Sequence, residues 1–275
     1  MDLQVTGPKI YFSFDIPFLG TVNITQTMVS LLAVTVILII LAVVISKKLT
    51  KRPGGFQVIV EKLVSMLYGL VEDTMGKHNL KFAPFIGTLF LSSIFGTLIG
   101  MTSILRSTTS DLSVTAAWAL VTIVMVWYHN IKNFGFKTWL KGFTEPIIVM
   151  TPMNIVSEIA TPVSMAFRHF GNVAGGSVLT SLIYSALSGL TYFVFGWLPD
   201  AILSWLPPVF QVGIPAFLSI YFDLFSGFVQ ALVFSLLTMV YVGGACPPPE
   251  EILAARKEKE EAKAAKKARK ANPAA

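Results

Sequence analysis

The chain has 275 residues, 54% hydrophobic and only 13% charged, where a soluble domain spends about 25% on charge. An ordinary cytosolic domain is excluded. The formal charge of +6 does not point to nucleic acid, because the basic residues sit beside apolar segments and in the last 26 residues, as orientation signals do. The one cysteine, Cys246, excludes an internal disulfide, and three histidines without Cys/His clustering give no reason to expect a structural metal.

Charge-free stretches run over 16–46, 82–105, 112–131, 169–199, 201–222 and 224–249. Several reach the roughly 20 residues that cross a bilayer. Backbone there must satisfy its own hydrogen bonds, and unbroken Leu, Ile, Val and Phe without dyad alternation predicts helices, not a barrel. The expected fold is an all-α integral membrane protein with about five membrane-embedded helices and one interfacial amphipathic helix. Its parts are an external segment over 1–25, a membrane domain over 26–246 and a charged cytoplasmic tail over 247–275.

The opening Met1-Asp2-Leu3 lacks a basic region and the first apolar run ends in Lys47 and Lys48, so this helix is expected to stay as an anchor and not to be cleaved. Lys47, Lys48, Lys51 and Arg52 follow it, which places the N-terminus outside. From Phe56 to Met75, apolar Val60, Leu63, Val64, Leu67 and Val71 recur near helical spacing among Glu61, Lys62, Glu72 and Asp73, which suits a helix in the cytoplasmic interface better than a span. Spans are expected over about 84–105 and 112–131, the second followed by Lys132, Lys137 and Lys141. From Ile147 to about Tyr192 the chain stays helix-compatible for too many residues to stand upright, with Pro152 and Pro162 as candidate kinks. An external loop over Gly196–Gly213 and a last long helix from about Ile214 to Val242 complete a terminal hairpin. Pro247-Pro248-Pro249 stops that helix, and the charged tail is expected to be partly helical or disordered. No Walker-type loop, GxSxG or HExxH pattern occurs, so the chain by itself is expected neither to bind nor to hydrolyse a nucleotide.

Two charges stand out inside the expected membrane helices, Arg168 and Asp223. A charge at a helix centre costs at least roughly 2.5–3.5 kcal/mol, so it usually lines a polar path or pairs with another charge. Arg168 shares one helical face with Ser164, Asn172 and Gly175 or Gly176, and Asp223 lies seven residues before Gln230 on the last helix. Read on the residues alone, Arg168 and Asp223 could equally pair across the hairpin, while Gly171 and Gly175 pack helices. His169 points about 100° away from Arg168 and reads as a packing histidine.

The run Pro162 to Gly176, with Ser164, Arg168, Phe170-Gly171-Asn172 and the pair Gly175-Gly176, resembles the characteristic motif of the a subunit of F-type ATP synthases. The resemblance extends to Pro152-Met153-Asn154, to Thr109–Thr115, to Gln230-Ala231 and to Leu237–Tyr241, and covers roughly 25–245. The chain departs from it at Thr97–Ser103, which lacks a common Asn and Pro, at His169 where many members have Leu, and at Thr161 where many have Lys. Where some members carry Glu at the position of Ser177 and His at that of Asp223, this chain is similar to those with an acid on the last helix.

The resemblance implies a stator whose two long tilted helices face a ring of c subunits, with Arg168 meeting each ring carboxylate. It implies two aqueous half-channels: Asp223 and Ser177 on the outer side, Asn172 and Gln230 near the arginine, and Asn154 with Glu158 toward the cytoplasm. Gly171, Gly175 and Gly176 would pack helices. The implied partners are the c ring, the peripheral-stalk b subunits, the rest of the F1Fo complex and lipid, with H⁺ or Na⁺ transported and no cofactor, in a bacterial plasma or inner membrane. The alternatives are a stand-alone secondary transporter or channel using Arg168 and Asp223 as a gating pair, and a structural scaffold.

Overall fold

The computed structural model describes residues 9–16, 20–102, 104–144, 147–195, 220–257 and 261. Five of its helices are long and apolar enough to cross a membrane: Gln26–Lys48, Lys77–Met101, Leu112–Phe134, Ile148–Phe195 and Leu224–Lys257. The expected span over 112–131 falls inside one of them, that over 84–105 ends four residues early at Met101, and the fold is that of an all-α membrane protein. The external loop expected over 196–213, the residues 214–219 and most of the tail beyond 257 lie outside the described residues.

One short β-hairpin precedes the helices and was not expected. β1 (Ile10–Ile16) and β2 (Gly20–Thr25) pair antiparallel, Phe14 opposite Val22 and Asp15 opposite Thr21. Its Ile-Tyr-Phe-Ser-Phe-Asp-Ile run has the aromatic and β-branched residues that suit a pleated strand, and Thr21 donates to Asp15 at 2.7 Å. The helices that follow are α1 (Gln26–Lys48), α2 (Gly55–Met75), α3 (Ala83–Met101), α4 (Leu112–Phe134), α5 (Phe136–Gly142), α6 (Thr151–Phe195), α7 (Gly227–Ala245) and α8 (249–257). Glycine ends α2 and α4: Gly76 and Gly135 stand at φ 82° and 86°, where a side chain is strained. Pro247 and Pro248 lie outside helix, and α8 resumes with Pro249 in its first turn, a position that lacks a donor anyway.

α6 is one helix of 45 residues with Pro162 inside it and Pro152 in its first turn. At 1.5 Å per residue it is about 68 Å long, roughly twice the hydrocarbon thickness, so in a bilayer it must lie steeply tilted. The last helix opens in a π-helical turn, Ile220–Ser226, before α7.

The chain divides into two compact units, one of 1–57, 88–118 and 164–235, the other of 58–87, 119–163 and 236–275. In the first, helices approach closely at glycines. A Cβ on Gly96 would stand 2.0 Å from Thr108 Oγ1, and one on Gly227 2.7 Å from Thr97 Cγ2. At the start of α1, Thr27 Oγ1 donates to Asp111 Oδ2 at 2.6 Å, and Ser113 N donates to Asp111 Oδ1 at 3.0 Å. The core of the second unit is Val71, Met75, Phe82, Ala83, Ile86, Met239, Val242 and Cys246. There α2 is helical as expected, with Val71 and Met75 buried and Phe56, Ile59, Leu63 and Met66 forming an exposed apolar stripe.

Candidate ion-path site

Arg168 sits on the open side of α6. Exposed residues recur along the helix at Ser157, Ser164, Arg168, Gly171, Gly175, Leu182 and Ala186, a stripe that keeps to one side at about 100° per residue. The opposite side carries the buried Met165, Ala166, His169, Val173 and Gly176. Among the described residues Arg168 has no ion pair.

The arginine's neighbour, His169, is 1% exposed. Its Nε2 shares a 3.0 Å hydrogen bond with Ser93 Oγ. Its ring meets those of Trp118 and Phe234 edge-on at 5.9 and 5.3 Å. It is a packing histidine, as expected, and by being fixed it turns the following and preceding residues of α6 to defined sides.

The expected site residues separate by side. Asn172 is half-buried and faces the last helix: its Nδ2 donates to Ser226 O at 3.1 Å and Ser226 Oγ donates to its Oδ1 at 2.7 Å. Gln230 is half-buried on α7, its Nε2 buried without a hydrogen-bond partner among the described residues. Ser177 is exposed and donates to Ala174 O of its own helix at 2.8 Å. Asp223 lies within the π-helical turn, and its side chain is outside the described residues. The π winding also corrects an expectation: Asp223 and Gln230 share a face only if every turn between them is α-helical, and hydrogen bonds from i to i+5 break that register.

Of the three glycines expected to pack helices, Gly176 is buried, while a Cβ on Gly171 or Gly175 would meet nothing within 4 Å among the described residues. Those two leave the surface beside Arg168 low.

In the second unit Asn154 and Glu158 come together at a cavity of about 560 Å³, which Asn130, Thr138 and Ser157 also line. Asn154 Nδ2 donates to Phe143 O at 2.9 Å. Trp127 Nε1 donates to Glu158 Oε1. Asn130, Thr138 and Trp127 were not singled out by the sequence, since a polar residue near a helix end is unremarkable until the neighbouring helix is in place. Ser93 and Ser226 escaped for a similar reason, because hydroxyls in apolar helices normally bond their own backbone.

A family model described as ATP synthase A chain matches residues 27–243. Similar proteins include ATP synthase subunit a of Moorella thermoacetica, 28% identical over 224 residues, covering 82% of this chain and 92% of that protein. The sodium ion specific ATP synthase subunit a of Propionigenium modestum is 32% identical over 270 residues, covering 88% and 86%. ATP synthase subunit a 1 of Crocosphaera subtropica is 32% identical over 223 residues, covering 80% and 86%. The chain therefore belongs to the ATP synthase A chain family and is the ion-translocating stator subunit of an ATP synthase.

Proposed function

We propose that Arg168 is the fixed charge past which each c-subunit carboxylate turns, and that the ion joins and leaves the ring through two half-channels. Asp223 and Ser177 line the outer one, Asn172 and Gln230 stand near the arginine, and Asn154 and Glu158 serve the cytoplasmic one. The observation that carries this reading is a permanent cation well inside a membrane-spanning helix, exposed and without an ion pair among the described residues. Such a charge needs a counter-charge, and the chain's open stripe offers it to a partner. A guanidinium keeps its proton at physiological pH, so it favours the ionised form of an approaching carboxylate and drives release of the bound ion. It also repels a cation that would leak straight across, so the ion must travel with the ring. Each charge moved through 100 mV supplies about 2.3 kcal/mol for rotation.

The proposed setting is a bacterial plasma or inner membrane, with 1–25 outside, 26–246 embedded and 247–275 in the cytoplasm, supported by the basic residues after α1 and α4. The proposed immediate partners are the c ring and the peripheral-stalk b subunits. Reconstitution into liposomes tests the reading. The chain alone should pass ions no faster than protein-free liposomes, and flux should appear when it is co-reconstituted with c ring and b subunits. Flux through the chain alone would favour a stand-alone transporter or channel.

A further inference from the structure

We propose that Trp127 is a positioning residue for the cytoplasmic ion path: its indole N–H fixes the Glu158 carboxylate at the wall of the cavity where ions pass. The inference rests on the reading of Glu158 as part of that path. Glu158 is half-buried on a stretch of α6 whose other neighbours, Ile155, Val156 and Ile159, are 46–64% exposed apolar residues suited to lipid or to a partner. A carboxylate there is costly unless it is hydrogen-bonded or wetted. Among the described residues no lysine or arginine pairs with it. The donor it does have is Trp127 Nε1. An indole carries a single donor and any backbone carbonyl would satisfy it. Here it is given to the carboxylate, which leaves the carboxylate's remaining lone pairs free for the cavity.

Two further features fix this geometry. The Trp127 ring packs on Trp139 at 6.1 Å, and Trp139 packs on Phe143 at 5.1 Å, so an aromatic shelf from α5 holds the indole from behind. Pro162, four residues after Glu158 in α6, has no N–H, so the helical hydrogen bond to the Glu158 carbonyl is missing. Glu158 thus brings a carboxylate and a released carbonyl to one turn. The cavity adds Asn130, Asn154, Thr138 and Ser157 and no basic residue among those that line it. The polar side of this lining, without a cation and facing Val126, Phe134 and Phe143, suits water and a passing H⁺ or Na⁺. The indole keeps the carboxylate from folding onto its own helix.

The experiment is ion flux through the reconstituted membrane sector carrying Glu158→Gln, Trp127→Phe, both changes together, or Trp127→His. The phenyl ring of Trp127→Phe retains the aromatic packing and removes the donor; Trp127→His retains a ring N–H. Loss of one hydrogen bond to a charged group predicts flux lower by about tenfold in Trp127→Phe. The double variant should be no slower than Glu158→Gln alone, and Trp127→His should recover part of the lost flux. In selectively labelled protein, the indole N–H resonance that disappears in Trp127→Phe should be the one that moves in Glu158→Gln. A slow Glu158→Gln with a Trp127→Phe at wild-type rate would overturn the positioning role and leave the path intact. The same loss from Trp127→Phe in both backgrounds, or no recovery in Trp127→His, would make the indole merely structural. Wild-type flux in Glu158→Gln would overturn the cytoplasmic path itself.

Discussion

At Arg168 and His169 two adjacent polar residues take opposite fates, and the helix decides which. A step of about 100° separates them, enough to bury the imidazole among Ser93, Trp118 and Phe234 while the guanidinium remains on the open stripe. The motif singled out Arg168; only the packing told that its neighbour is an anchor. Asp111 is a residue of the other kind, charged and outside the spans, with a structural task. Partial burial pushes its carboxyl up, but hydrogen bonds from Thr27 and Ser113, with Arg106 nearby, outweigh burial and hold it below its ordinary 3.8. A depressed folded-state value means stabilisation present above the ordinary value and lost as pH falls through the lower, folded one. Thermal unfolding in detergent should therefore show wild type losing stability on acidification below about pH 3.8, a loss that Asp111→Asn lacks. Thr27→Val should be less stable than wild type at neutral pH by about 1–2 kcal/mol, because it removes a donor to a charge. Identical acid profiles for wild type and Asp111→Asn would mean that the clamp carries no pH dependence.

Among the elements, α6 sorts its glycines and those of its neighbours into two kinds. Gly96 and Gly227 have side chains packed where their own Cβ would be, whereas Gly171 and Gly175 have open space. Gly96→Ala should destabilise the isolated chain by about 1–3 kcal/mol, since Thr108 is fully buried and β-branched and cannot swing aside. Gly171→Val and Gly175→Val should leave the chain's own thermal midpoint within about 0.5 kcal/mol of wild type. They should instead reduce the c subunits that co-purify, because they fill the side that Arg168 offers. A Gly175→Val chain that melts early with normal recovery of c subunits would place this face inside the protein. The π-helical turn at Ile220–Ser226 is the element that spacing alone could not give: seven residues were read as two α-helical turns, and wider winding changes which side each residue meets.

For the molecule as a whole, the long-range signals were legible and the local exceptions were not. Charge-free runs marked α3 and α4 to within a few residues because the bilayer leaves helices little freedom in length, whereas the run over 16–46 begins ten residues before α1, and the family motif singled out Arg168 before any geometry. The β-hairpin was missed because its apolar alternation runs into the first long apolar stretch. The cavity lining was half legible: the family resemblance pointed to Asn154 and Glu158, while Asn130 and Thr138 join the lining, and Trp127 meets Glu158, only through the packing of α4 and α5. That division follows from physics, since membrane insertion is a property of one segment and a site is a property of several. The most direct test of the central claim is ATP-driven ion pumping in vesicles carrying Arg168→Ala or Arg168→Lys in fully assembled complex. Both should abolish coupled pumping while assembly is retained, the lysine because it can give up its proton and lacks the planar fork; pumping at near wild-type rate in either would contradict the role assigned to Arg168.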